Sequence, residues 1–427
     1  MAAVLKHWRE AATLILVSSS KLSRVGFQFV SNSEQGSVKE KTDDHVLRHI
    51  TGNDLSKLKP LNKPGSENYE LLLLKRSSKS KFMPNLYVFP GGVAVDSDFQ
   101  STWLELFNSL GSEVQRDMFS NMSAGSSLAA PMFSRRRDEK FSSIPAEVAF
   151  RICAIRETFE ESGVLLAWPA KLAKSVGRSL LSPSQAGSWD SFFDLPIDTH
   201  DISEWRHRVN ANPDEFFNMC RELDLLPAIW TLYEWSNWLT PTTAEENRRR
   251  FDTAFYICCI DHKPEAAEDE GETVNAQWAK PSLVLLEQFS KKGGLAPPQI
   301  YEIARLLNFN SVSDLRKNAS DPHRERVERL LPVMEMCQDY LLSVLPGDDL
   351  YPKKPDLYHK NEVHPFAETL EQLNRKYPNT HRTASRLPRT KITPDELIIE
   401  CSIGSRRSGN VLPDIPAVVD LMVKSKL

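Results

Sequence analysis

Four things are missing from this chain, and each absence removes a class of function or architecture. No apolar run approaches the roughly 20 residues that a membrane-spanning helix requires. Basic charge is not in excess: net charge is −4, so nothing points to bulk nucleic-acid binding. The six cysteines (Cys153, Cys220, Cys258, Cys259, Cys337 and Cys401) are scattered, and none forms a C-x-x-C pair. Their spacing indicates neither a zinc site nor a disulfide framework and suits buried free thiols. No internal repeat of solenoid period is present either. What remains is ordinary globular composition, 41% hydrophobic and 26% charged, in 427 residues that are enough for two or three domains. Lys6, His7 and Arg9 precede the apolar run Ala11 to Val17 in the outline of a short signal peptide, but Glu10 interrupts it. The run reads instead as a first buried strand.

The most informative segment is Arg156 to Val164, Arg-Glu-Thr-Phe-Glu-Glu-Ser-Gly-Val. It sets Glu157, Glu160 and Glu161 at helical spacing i, i+3, i+4, where side chains are surface neighbours. Crowded like charges repel, and a hard divalent cation that takes oxygen ligands would relieve them. Val148, Ile152, Ile155 and Phe159 recur at steps of four, three and four, the pattern of a buried helical stripe. The carboxylates fall on the opposite side of that helix. Ser143 and Pro145 suit its start and Gly163 its stop. A solvated acidic face closed by a capping glycine is the plainer reading of these residues alone.

Upstream, Phe89-Pro90-Gly91-Gly92 follows the apolar run Tyr69 to Leu74 and a short Leu86 to Phe89 segment. Paired glycines after a strand allow backbone to come close to a ligand. Together the two segments resemble the Nudix box, G-x5-E-x7-R-E-U-x-E-E-x-G-U, with U aliphatic. Gly92 fits the first glycine, and Asp98 stands where the first glutamate belongs. Arg156, Glu157, Glu160, Glu161, Gly163 and Val164 fit the second half. Thr158 replaces an aliphatic residue, and 57 residues separate Asp98 from Arg156 in place of the motif's seven.

That resemblance implies an α/β (α+β) fold, a Nudix-type α/β/α sandwich around a mixed sheet. On this reading residues 1–290 form the Nudix domain, with insertions at about 20–66 and 101–143. Residues 291–427 read from their own apolar pattern as a helical C-terminal extension, including a long helix over about 322–344. The resemblance also implies Mg²⁺ or Mn²⁺ held by Glu157, Glu160 and Glu161, with Arg156 orienting them. A Gly91 or Gly92 carbonyl would complete the shell, and Glu272 would act as a further ligand or base. Leu71 to Arg76 resembles the stretch that precedes the box in coenzyme A diphosphatases, and Glu234 to Pro241, Arg249 to Thr253, Leu295 to Gln299 and Leu345 to Pro352 resemble one subgroup, the peroxisomal acyl-coenzyme A diphosphatases. The implied substrates are coenzyme A and its thioesters, cleaved to 3',5'-ADP and (acyl-)4'-phosphopantetheine. Lys75, Arg76 and Arg248 to Arg250, Arg249 among them, are candidates for the 3'-phosphate, since arginine suits phosphate. Tyr301 and the Pro297-Pro298 turn are candidates for the pantetheine or acyl channel. Trp235 and Trp238 read as core. An NADH or ADP-sugar diphosphatase of the same fold is the rival enzyme, and a non-catalytic Nudix-fold binding module the rival from another class. The chain ends Ser425-Lys426-Leu427, a tripeptide read by the peroxisomal import receptor, so the expected location is the peroxisome.

Overall fold

The computed structural model describes residues 8–20, 65–80, 83–124, 132–181, 199–242, 250–269, 273–290, 294–321, 327–359, 363–386, 397–401, 406–407 and 410–424. The insertion expected at about 20–66 lies almost wholly outside them, as do Arg248, Arg249, Glu272 and the terminal tripeptide.

The main sheet is built from β1 (Arg9–Ser19), β2 (Tyr69–Arg76), β3 (Tyr87–Val88) and β4 (Gly91–Val93). A separate small pair, β5 (Ala167–Pro169) with β6 (Leu225–Pro227), follows in the chain. The main sheet then resumes with β7 (Tyr233–Leu239), β8 (Phe251–Ile260), β9 (Thr273–Ala279) and β10 (Arg329–Leu330). Among the described residues it has eight strands in the order β10-β7-β8-β1-β2-β3, with β4 added to β1 and β9 to β2. It is mixed: β1 runs parallel to β8 and antiparallel to β2 and β4. The strands β1 and β2 read as almost unbroken apolar runs because both faces are covered.

One face packs against α3 (Ala146–Ser162), whose stripe Val148, Ile152, Ile155 and Phe159 is fully buried with Leu14, Leu16, Leu72 and Tyr256. Each such side chain contributes roughly 1.5–3 kcal/mol. The insertion supplies α1 (Thr102–Asn108) and α2 (Ser112–Ala124), which add Trp103, Phe107, Met118 and Met122 to the same core. Also on this side lies α4 (Thr199–Ala211). The other face carries Ile15, Val17, Leu71 and Leu73 against α5 (Pro281–Phe289), α6 (Pro297–Leu306), α7 (Val312–Ala319) and a helix near the end, Ile415–Lys424. The result is the expected α/β/α sandwich.

The segment after 320 differs from expectation. The long helix read over 322–344 is instead β10 followed by β11 (Val333–Met336) and β12 (Tyr340–Val344). With β13 (His381–Arg386) and β14 (Leu397–Cys401) they make a four-stranded antiparallel sheet, β11-β12-β13-β14. The physical reason is a period of two: Val333, Leu342 and Val344 point into a small core with Leu370 and Leu373, while Met334 and Ser343 alternate to the other face. The C-terminal extension is therefore mixed, not helical.

A candidate active site at the edge of the main sheet

The sequence dictates how α3 ends. Gly163 adopts the left-handed conformation (φ 72°, ψ −2°), and its N–H bonds to the Phe159 carbonyl. The last turn is anchored further from outside: Arg206 of α4 donates to the Glu160 carbonyl at 3.0 Å and to the Ala267 carbonyl at 2.9 Å. The Ala267 N–H in turn donates to the Ser162 carbonyl. The described part of the acidic segment, 262–269, is thus docked on the end of this helix.

Against this fixed end, the carboxylates meet the glycine turn. The Gly91 N–H donates to Glu161 Oε2 at 2.8 Å. Gly92 lies against Glu157 so closely that a Cβ there would stand 2.3 Å from Oε2. Only glycine permits that approach. Arg156 is almost wholly buried and fully engaged. It makes a two-pronged pair with Asp98 at 2.8 and 2.9 Å, and donates to Glu157 Oε1 at 2.9 Å and Glu160 Oε1 at 2.7 Å. Asp98 also accepts the Val95 N–H at 2.9 Å. So the two halves of the box meet despite the insertion, and the guanidinium joins them.

The electrostatics are unbalanced. Asp98, Glu157 and Glu160 share one guanidinium, with Glu161 alongside. Burial raises the Glu157 carboxyl to about 7; Arg156 opposes the rise, while Glu160 and Asp98 add to it. For Arg156, burial alone would lower the pKa, but Asp98 and Glu157 hold it well above its usual value. The acidic excess fits a divalent cation, which would supply the missing positive charge. Among the described residues no three acidic, histidine or cysteine side chains are already arranged around one metal position. Arg156 bridges Glu157 and Glu160, and the Gly91 N–H holds Glu161.

These residues form one end of a cleft of about 1240 Å³. Its polar end is lined by Arg76, Lys79, Glu157, Glu160, Glu161 and Asp269. Arg76 is braced by Ser80 Oγ at 2.9 Å, and Asp269 accepts from the Thr273 N–H at 2.8 Å. From there the cleft crosses the sheet face over Thr13, Ala11, Thr253 and Phe255 to Trp238 and the Pro297-Pro298 turn.

Three candidates fall elsewhere. Lys75 alternates away from Arg76 and lies 5.6 Å from the Tyr87 ring centroid, outside the cleft lining. Tyr301 is buried one layer behind Trp238, with its hydroxyl 2.7 Å from His381 Nε2, so it is a core residue and not a channel wall. Arg250 is also structural, donating to the carbonyls of Thr240 and Leu357. Trp235 and Trp238 are core as read, each donating its indole N–H to buried Glu302 at 2.7 Å. The sequence reading passed over Asp269 within an acidic run, and over the lining contributed by β11 to β13.

Known families match both parts of the chain. The NUDT19 Nudix domain family matches residues 8–306, and the NUDT19 C-terminal domain family matches residues 334–392. The chain belongs to the NUDT19 Nudix family. Curated relatives named acyl-coenzyme A diphosphatase NUDT19 include one from Xenopus laevis, 38% identical over 88% of this chain and 90% of its own. Those from Gallus gallus and Homo sapiens are 39% and 37% identical, covering 84% and 70% of this chain and 84% and 76% of theirs. The chain is accordingly a Nudix hydrolase, and Nudix hydrolases generally use divalent metals. No helix among the described residues is long and apolar enough to cross a membrane.

Proposed function

We propose that this protein hydrolyses the diphosphate bond of coenzyme A and acyl-coenzyme A to 3',5'-ADP and (acyl-)4'-phosphopantetheine, and that it does so in the peroxisome. The observation that carries the reading is the continuity of the cleft. One cavity joins a carboxylate cluster, flanked by Arg76 and Lys79, to a largely apolar far end. That shape suits a ligand with a diphosphate, a second phosphate and a long arm. The names of the relatives support the same substrate, and the terminal Ser425-Lys426-Leu427 supports the location.

Glu157, Glu160 and Glu161 would hold Mg²⁺ or Mn²⁺. The bound cation would offset charge on the diphosphate and lower the pKa of the attacking water. Arg156 keeps Glu157 and Glu160 turned toward the cleft, Asp98 keeps Arg156 in place, and the Gly91 N–H fixes Glu161. A cleft carboxylate takes the water proton. The water oxygen bonds to one phosphorus, and the bridging oxygen departs on the other phosphate. Arg76 and Lys79 are the described cations at this end of the cleft able to meet the 3'-phosphate. Incubation of the full chain with Mg²⁺ or Mn²⁺ and either coenzyme A or NADH, with products identified by mass, tests the assignment. Release of 3',5'-ADP is expected, and dominant release of nicotinamide mononucleotide would overturn it.

A further inference from the structure

The far wall of the cleft belongs to the C-terminal sheet. Met334 of β11 pairs with Ser343 of β12, and Ser343 pairs with Thr383 of β13. Directly paired residues project from the same face of a sheet, so these three side chains form one row across three strands. Their neighbours Val333, Leu342, Val344 and Ala384 turn the other way, into the core that this sheet shares with Leu370 and Leu373. The sheet therefore satisfies its own packing with one face and gives the other to the cleft. The cleft residues that the C-terminal segment supplies (Pro332, Met334, Ser343, Leu345 and Thr383) include no charged side chain.

The path from the carboxylates to this wall is paved with small residues. Thr13 and Ala11 alternate along β1, beside Gly91 and Val93 on one side and Phe255 and Thr253 on the other. From Thr13 to the exposed rim residue Arg9 is four strand residues, about 13 Å. That is room for an extended arm and not just a head group. The cleft volume, about 1240 Å³, also exceeds the roughly 300–1,000 Å³ usual for small-molecule sites.

We propose that the C-terminal sheet is the acyl-chain subsite, and that Met334, Ser343, Leu345 and Thr383 set the length of acyl group accepted. The inference rests on the diphosphatase reading above. Diphosphate at Glu157, Glu160 and Glu161 directs the pantetheine arm across the small-residue floor, and the acyl group comes to rest between this sheet and Trp238, Phe251 and Phe255. Full burial of each methylene raises kcat/KM up to about fourfold, through KM, until the wall is reached.

The test compares kcat/KM for coenzyme A and its acetyl, hexanoyl, octanoyl and dodecanoyl thioesters in the full chain and in Ser343→Phe, with Thr383→Leu as a second and smaller filling. The wild-type protein is expected to favour longer chains over coenzyme A. Ser343→Phe is expected to cut the dodecanoyl-to-coenzyme A ratio at least tenfold, in KM more than kcat, and Thr383→Leu to cut it less. Unchanged ratios in both folded variants would overturn the subsite while leaving the diphosphatase reading intact. Failure of the wild-type chain to cleave any coenzyme A species would instead overturn that reading, and this one with it.

Discussion

Gly92→Ala should separate catalysis from stability. An added Cβ would lie 2.3, 2.4 and 2.6 Å from the Oε2, Cδ and Oε1 atoms of Glu157. The backbone cannot yield, because β4 is paired to β1 through Ala12 and Gly92, and the Leu14 and Ala94 N–H groups bond to Pro90 and Glu10 on either side. The flexible carboxylate must therefore move, by about 1 Å, a displacement that typically costs on the order of 100-fold in rate. Stability should change by no more than about 1 kcal/mol, since Gly92 is not among the positive-φ glycines and alanine stiffens the unfolded chain slightly. Steady-state kinetics with coenzyme A, paired with urea denaturation, would show kcat/KM down roughly 100-fold in a protein of near wild-type stability. Adding Glu157→Asp, which withdraws the carboxylate by one methylene, should restore part of the loss. Gly91→Ala is the contrast: its Cβ would meet the Ala12 carbonyl at 2.4 Å, backbone against backbone, and should unfold the protein. Wild-type kinetics in Gly92→Ala would refute the idea that this contact positions Glu157.

The raised Glu157 carboxyl makes cation-free stability fall with pH. The folded protein holds that proton up to about 7, whereas the unfolded chain releases it near 4.5. Stability should therefore drop as pH rises through that window, by about 3 kcal/mol in all. Denaturation in chelator at pH 5 and pH 8 measures it, and an equal slope in Glu157→Gln would remove Glu157 as its source. Glu302 accepts from Trp235, Ser236, Trp238 and Arg305 while fully buried. Glu302→Ala, which strands Arg305, should cost roughly 3–5 kcal/mol in the same assay, and a loss below 1 would argue that water or a shifted side chain takes its place. Deleting Ser425 to Leu427 should leave turnover intact and send a fluorescently tagged protein to the cytosol; retention in peroxisomes would mean the address lies elsewhere.

Much of the site was legible because it is local. The stripe Val148, Ile152, Ile155 and Phe159 set the orientation of α3, and Gly163 ended it where expected. What escaped was long-range or ambiguous in period. The carboxylates lie opposite the apolar stripe, yet that side is also covered, by the glycine turn and Asp98, a contact between residues 58 positions apart. No local pattern reports such a meeting. The segment around Val333 to Val344 mixes apolar and charged residues, and its alternation becomes decisive once β12 pairs with β11 on one side and β13 on the other. Lys75 and Tyr301 were chosen by residue type, whereas strand alternation and a bond to His381 decide where they point.

The clasp between Arg156 and Asp98 also says something about tolerance to change. Lengthening the closed loop from seven residues to 57 costs about 2 kcal/mol in chain entropy, because the penalty grows only with the logarithm of length. A buried, two-pronged ion pair flanked by Val95 and Val93 is of a size to offset that. The catalytic motif behaves like a hinge pin passed through two separate plates. Whatever is threaded between them can grow, shrink or acquire helices of its own, provided the pin still seats. By the same logic the site cannot assemble piecemeal. Turnover then reports that the pin is seated, and cleavage within the insertion should leave the chain inert only if the pin comes loose.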